Sequence, residues 1–406
     1  MKKTFVWKFI FVLILLVIVG ALLWWLKKDI GSIKVPPTRE TGTTSGNTNA
    51  ITDALKVPAG FKIEVYASGL TGARVIEFDS MGRLLVSQTG EGKITALVDT
   101  DNDDRVDSLK VILENLNKPH GMAFRCTTSD TNCLLYVAER DALSSYEYDS
   151  ENITVGQPKK LLDISASLSD RHSTRSLLFL PYPNEDTLLI SVGSSCNVCN
   201  ETDLMRGRII SYNIKTGKSE EYARGLRNSV FMTLDPIFGK VFATEMGRDG
   251  LGDDIPPDEI NIIEKGKNYG WPFCYGKNVH DGDFDPKGES GVCNTLSPSF
   301  IDLQAHSAPL GLAFIPEEGW PEEFWYNLLI SFHGSWNRLT PTGYKIVRLR
   351  MNSKGEYLGS EDFITGWLKA DGKKLGRPVD IKVFSGGTAY ISDDLNGLVY
   401  KLIRVR

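Results

Sequence analysis

Six segments decide how this chain folds: GRLLVSQTG (82–90), NCLLYVAER (132–140), DTLLISVGS (186–194), GKVFATEMG (239–247), YNLLISFHG (326–334) and GTAYISDDL (387–395). Each is a short apolar run that ends in polar or glycine residues. Each follows another apolar stretch, beginning near Ala73, His120, Arg175, Asn228, Leu310 and Arg377. Each precedes a further strand-like run: KITALVD, LSSYEYD, RIISYNI, EINIIEK, YKIVRLR and LVYKLIR. A fourth strand closes some copies with a Gly/Asn-Leu turn, as in KVILENL (110–116) and EYARGL (221–226). Sustained 3.6-residue periodicity is almost absent. Four strands repeating every 45–80 residues or so predict propeller blades.

The sixth copy reaches Arg406 with only three strands, whereas FKIEVYASGL (61–70) precedes the first copy. An N-terminal strand completing the last blade would remove both exposed edges. The expected fold is therefore all-β, a six-bladed β-propeller closed by its N-terminal strand. A seventh blade fits only if residues 266–306 contain one. A pair of β-sandwiches explains the repeats less well.

Outside the ring, the composition divides the chain. The 406 residues are 41% hydrophobic and 24% charged, with a formal net charge of −5. These values exclude a largely disordered chain and a disulfide-dense miniprotein. Without a basic surplus, nucleic acid is not an expected partner. Removing the five Lys of residues 1–28 from the 46 basic residues leaves 41 against 51 acidic ones, so the body is near −10. Phe9 to Leu26 is uncharged, flanked by Lys8 and Lys27, and long enough as a helix to span the hydrocarbon layer. Trp24-Trp25 at its exit suits an interfacial anchor better than a cleavage site. The expectation is a transmembrane anchor over 1–28, a Gly/Thr/Ser-rich linker over 29–55 and a propeller over 56–406, outside the cytoplasm.

Six cysteines agree with that compartment. They fall into three close pairs, Cys126/Cys133, Cys196/Cys199 and Cys274/Cys293, which favours three local bridges. Cys196-x-x-Cys199 also fits a redox motif or half a zinc site, although no second CxxC accompanies it.

In a propeller, the loops entering each innermost strand and those leaving each second strand share one face. That rule gathers His120, His172, Arg227, Asn228, His333, Arg338 and Arg377. Such a ring suits a planar polyanion, because Arg binds carboxylates bidentately, and Trp336 is placed to stack on it. Rim salt bridges are the plainer reading of the same residues. Asp99, Asp101, Asp103 and Asp107 are spaced like a calcium loop but lack its Gly and its terminal Glu. Asp253, Asp254, Asp258 and Glu259, followed by NYGWP, form a second acidic candidate.

The stretches ARGLRN (223–228), EMGRDGLGDDIPPDEIN (245–261), NYGWPFC (268–274), HGSWNR (333–338) and GRPVD (376–380) together resemble the PQQ-dependent glucose/sorbosone dehydrogenases, most strongly the sorbosone-dehydrogenase-like branch. The resemblance runs from about Val57 to Arg406 and implies a six-bladed propeller. It implies pyrroloquinoline quinone (PQQ) and Ca²⁺ as cofactors. It makes His172 the general base, Arg227 and Asn228 contacts to the quinone oxygens, and Arg377 a partner of a PQQ carboxylate. The backbone carbonyls of Gly247 and Arg248 would hold the calcium beside PQQ, and Glu259 with the Tyr269 carbonyl a separate structural calcium. His120 matches a polar cofactor-contacting position more loosely.

Three departures from the family pattern stand out. Many relatives carry a second Arg two residues after the first in the last blade, where this chain has Val379. The family's cofactor-binding Lys has no clear counterpart, and Arg338 is the candidate to supply its charge. Ser194 stands where soluble glucose dehydrogenases have an Asp supporting the catalytic His. The implied activity is oxidation of an aldose or sugar aldehyde, with electrons passing to a quinone pool or cytochrome. A calcium-dependent lactonase and a non-catalytic carbohydrate- or protein-binding propeller are the alternatives.

Overall fold

The computed structural model describes residues 48–126, 132–164, 171–288 and 293–405. Six antiparallel sheets follow one another along the chain, five of them four-stranded and the second extended to five by the two-residue strand Thr154–Val155. Their innermost strands are Ala73–Phe78, Met122–Cys126, Leu177–Phe179, Met232–Leu234, Pro309–Phe314 and Pro378–Phe384, defining blades 1 to 6. Each innermost strand touches the next, and the sixth touches the first, so the ring is closed. The six quoted segments supply the second strands, from Leu84–Gln88 in blade 1 to Thr388–Asp393 in blade 6.

Closure occurs where the sequence places it. Phe61–Ala67 pairs antiparallel with Leu398–Arg404 and becomes the outer strand of blade 6, from Phe61 opposite Arg404 to Ala67 opposite Val399. Phe61 then inserts into a ring cluster on blade 5, with centroids 5.2 Å from Trp320, 5.9 Å from Phe324 and 6.4 Å from Phe363. Polar contacts sew the seam between blades 6 and 1. The Ile76 amide donates to Asp380 Oδ2 at 3.0 Å, and Lys382 Nζ to Glu77 Oε2 at 2.8 Å.

Residues 266–306 hold no seventh blade among their described residues. They contain a two-residue ribbon, Cys274–Tyr275 against Val279–His280, a short 3₁₀ turn and Ile301–Leu303, which is the fourth strand of blade 4.

The three expected cysteine pairs are all disulfides: Cys126 with Cys133, Cys196 with Cys199, and Cys274 with Cys293. Because Cys196 is bonded to Cys199, that pair is neither a dithiol nor a zinc half-site here. Cys133 and Cys293 are core residues. Cys133 is buried in the apolar cluster that contains Leu135 and Tyr148. It opposes Cys126 at one end of the blade 2 ladder, whereas His120 bonds to Ala138 at the other, so this bridge lies away from the entry loops. Cys293 is buried in the 3₁₀ turn Cys293–Thr295, with its Sγ 3.7 Å from the Phe273 carbonyl oxygen. Its bridge ties that turn to the ribbon at Cys274. Sulfurs packed this way brace the blades and present nothing to a ligand.

The stretch read as linker does not remain a linker up to residue 55. Thr48–Thr52 is one helical turn, Leu55 is buried, and Lys56 bridges to Thr365 through both backbone groups. Apolar Ile51 and Leu55 drive this, since both pack on the cluster that contains Phe61. The apolar run 9–26 lies outside the described residues. Among those described, no helix is long and apolar enough to cross a membrane.

If the closing strand secures the ring, Phe61→Ala should cost about 3–5 kcal/mol. Val405→Ala, at an exposed position just beyond the paired strand, should stay within about 0.5 kcal/mol. Denaturant midpoints of the two variants measure the difference.

Candidate functional site

The ladder registers bring entry and exit loops to one end of the ring. Ala73 opposes Gln88, Pro309 opposes Phe332, and Pro378 opposes Asp393. In these three blades a register shift follows that first pair. Such bulges bend a strand and re-aim its side chains.

His172 lies on the entry to blade 3, at φ 46°. Its Nδ1 is 3.0 Å from the Ser194 carbonyl oxygen and 2.9 Å from Ser194 Oγ. The Ser194 hydroxyl donates to the Cys196 carbonyl at 2.7 Å, so towards His172 it can only accept. Both partners of Nδ1 are therefore acceptors. The proton sits on Nδ1 and the lone pair on Nε2. Burial, reinforced by the positive charges of Arg227, Arg171 and Arg206, pushes the imidazole pKa well below its ordinary value. The ring is neutral at physiological pH. Gly193 is a steric necessity here, because a Cβ on it would meet both Asn228 Oδ1 and His172 Cβ at 2.6 Å.

Arg227 and Asn228 enter blade 4 beside it. Arg227 donates to the Asn197 carbonyl at 2.9 Å, to Asn197 Oδ1 at 2.9 Å and to Asp249 Oδ2 at 3.2 Å. Asn337 reaches the other oxygen of Asp249 at 2.7 Å and lies 3.3 Å from His306 Nδ1. One network thus runs from blade 3 to blade 5.

Across the axis, Asp394 is the centre of a second network. It accepts from Arg377 Nε at 2.7 Å and Arg74 NH1 at 3.0 Å, and lies 3.1 Å from His333 Nε2. Burial alone would raise its pKa, but His333 and the two guanidinium groups hold it well below the usual carboxylate range. Burial lowers His333 to about 4, leaving it neutral and the cluster with one net positive charge.

Three expected contacts sit apart from these networks. His120 is fully buried, edge-on to Phe231, with Nδ1 3.3 Å from Ser176 Oγ and Nε2 without a partner among the described residues. Arg338 turns to the 253–254 loop, donating to the Asp253 and Ala305 carbonyls and to Asp254. Trp336 is 69% exposed on the same loop as Arg338.

The four residues expected near calcium meet at one small cavity. Gly247, Arg248, Glu259 and Tyr269 line it together with Glu245, and its volume of about 20 Å³ accommodates a single water or ion. Glu245 and Glu259 face each other across adjacent strands. Burial, aided by the charge of Glu259, pushes Glu245 up to about 8, and burial, aided by the charges of Asp302 and Asp258, pushes Glu259 up to about 7. Their oxygens accept hydrogen bonds from the Asn228 and Gly276 amides, Ser229 Oγ and Asn261 Nδ2, so a hard cation in this cavity would share oxygens that are already bonded. The Arg248 side chain is occupied by Asp281 at 2.6 Å, so only its backbone is available there. Asp99, Asp101 and Asp107 do approach one another, but their oxygens accept hydrogen bonds from their own loop.

Several members of the site escaped the sequence reading. Arg74 occupies the entry to blade 1, for which that reading named no residue. Glu245 stands inside the quoted EMGRDGLGDDIPPDEIN stretch, with nothing in that pattern to mark it as part of the cavity. Arg206, which donates to the Gly193 carbonyl at 3.1 Å, carries no sequence signal.

The fold and the paired cationic networks define a six-bladed propeller with an anion-receptive face. Residues 55–404 match the TrAA12-like family, and the chain belongs to that family. An uncharacterized protein of Borreliella burgdorferi is 34% identical over 364 residues, 87% of this chain and 91% of its own length. The PQQ-dependent pyranose dehydrogenase of Coprinopsis cinerea is 25% identical over 416 residues, 86% of this chain. Only 55% of that enzyme's length is matched, so the chain spans about half of it. The solved holo form of that enzyme's PQQ domain superposes with a TM-score of 0.71 at 23% identity, covering 86% of this chain and 97% of the domain. That similarity shows the shared fold.

Calcium titrated into chelator-treated protein should raise its melting temperature. The expected stabilisation is about 2.7 kcal/mol at a hundredfold excess over Kd. Glu259→Gln should abolish the calcium-dependent increment, read by scanning calorimetry with and without the ion.

Proposed function

We propose that the chain is a PQQ-dependent dehydrogenase that oxidises an aldose or sugar aldehyde to the lactone or acid. The observation that carries this reading is the state of His172, neutral and with the proton placed on Nδ1 by Ser194. Homology to PQQ-dependent sugar dehydrogenases supports it. When bound, PQQ supplies a two-electron acceptor for hydride leaving the sugar carbon.

The chain's own residues then have distinct tasks. His172 Nε2 takes the proton of the substrate hydroxyl, and the Ser194 carbonyl holds the imidazolium through Nδ1–H. With Ser194 in place of an Asp, that support carries no full negative charge, so the imidazolium gives its proton up readily. Arg227 and Asn228 would hold the quinone oxygens, Arg377 would hold a carboxylate of the cofactor, and Trp336 would stack on it. Gly247 and Arg248 would offer carbonyls to the calcium beside PQQ, and Glu259 with the Tyr269 carbonyl would hold a separate structural calcium. In this reading, His120 supports the cofactor pocket from beneath and Arg338 fixes the 253–254 loop at its rim.

Residues 9–26 anchor the protein in the membrane, which keeps the propeller outside the cytoplasm and near a quinone or cytochrome acceptor. The three disulfides accord with that compartment.

Purified full-length protein with PQQ and Ca²⁺ should reduce a redox dye in the presence of an aldose. Absence of PQQ binding at micromolar cofactor refutes the proposal, and lactone hydrolysis without PQQ would favour the hydrolase alternative. His172→Ala should keep PQQ and lose turnover by about 10²–10⁴-fold. Because the imidazole pKa is lowered, the base stays deprotonated as pH falls through 6.5. The acid limb of kcat/KM should therefore lie below the ordinary His value, and a limb at or above 6.5 contradicts the assignment.

A further inference from the structure

Arg74 has no role in the reading above, yet it reaches the centre of the site from the neighbouring blade. Its NH1 meets Asp394 Oδ2 at 3.0 Å, while Arg377 Nε meets Oδ1 at 2.7 Å. The two guanidinium groups thus flank one carboxylate at the open end of the ring, with side chains 15% and 30% exposed. Two fixed cations on one anion leave a positive charge. Among the described residues, the bond to Asp394 is the only hydrogen bond of the Arg74 side chain, so most of its five donors remain for a ligand.

The ladder gives this arrangement a meaning. Ala73 pairs with Gln88 in blade 1 as Pro378 pairs with Asp393 in blade 6, and in both a register shift follows. Arg74 and Val379 are each the next residue, at equivalent positions one blade apart. Val379 is fully buried and carries no charge for the site. The family's second arginine of the last blade is absent there, while blade 1 places a guanidinium at the matching position and directs it back to Asp394.

We propose that Arg74 binds a carboxylate of PQQ together with Arg377, supplying from blade 1 the cation that Val379 does not provide. Asp394 holds both guanidinium groups in place. This rests on the dehydrogenase reading, and the test separates the two.

PQQ and its trimethyl ester, in which the carboxylates are blocked, are titrated with Ca²⁺ into full-length wild type, Arg74→Gln and Arg74→Lys, following tryptophan fluorescence. Arg74→Gln should bind PQQ about 10- to 100-fold more weakly, as expected on losing a charge-assisted pair, and bind the ester about as well as wild type does. Arg74→Lys keeps the ion pair with Asp394 but loses the fork, and should lie between the two. It also serves if the Gln variant does not fold. Wild type that fails to bind PQQ overturns the dehydrogenase reading. Wild type that binds, with either variant equal to it or with equal losses for acid and ester, overturns the role of Arg74 alone.

Discussion

Everything in this molecule depends on one pairing, that of Phe61–Ala67 with Leu398–Arg404. A propeller of open sheets would leave Leu398–Arg404 as a bare edge, and its first and last blades would lack a covalent reason to meet. The pairing satisfies that edge and sets Phe61 among the rings of blade 5, so a backbone ladder and an aromatic cluster are made by the same strand. With the ring closed, the bulged entries of blades 1, 5 and 6 come to one face. The functional face is a product of closure as much as of any single loop.

On that face, the chain manages charge by fixing it. His172 is kept neutral by burial and neighbouring cations, and its tautomer is set by acceptors alone. Asp394 does the opposite, remaining ionised because two guanidinium groups surround it. A neutral imidazole and an ionised carboxylate held between two cations are thus separated by the axis. Glu245 and Glu259 show a third condition, acids that burial pushes towards the neutral form although their oxygens are hydrogen-bonded.

Much of the fold was legible because strand repeats and turn residues are local signals. The second strands, the closing strand and the disulfide pairs all follow from patterns within a few residues. The burial of Cys133 and Cys293 does not, since spacing names a partner and says nothing of depth. His172, Arg227, Asn228 and Arg377 were also legible, since each stands at a blade entry. What was hidden depended on partners far apart in sequence. Arg74 and Asp394 are 320 positions apart, and nothing local to either announces the other. Arg338 was read as a charge for the cofactor, but the Asp253 and Ala305 carbonyls, which no side-chain pattern reveals, draw it away together with the Asp254 carboxylate. His120 shares the entry position of its neighbours yet is sealed beneath Phe231, because depth within a ring is set by packing.

The shared outer blade also imposes an order on biosynthesis. Phe61–Ala67 is made roughly 330 residues before Leu398–Arg404, and through that interval it has no partner strand. Its alternating exposed and buried residues are then an open template, available to any other chain with a free edge. Asp394 lies at the exit of the strand just before Leu398–Arg404, so the cationic half of the site matures with the same late event. A ribosome-bound chain from which Leu398–Arg404 has not yet emerged therefore holds five complete blades, and ring and axial face are completed together by that one strand.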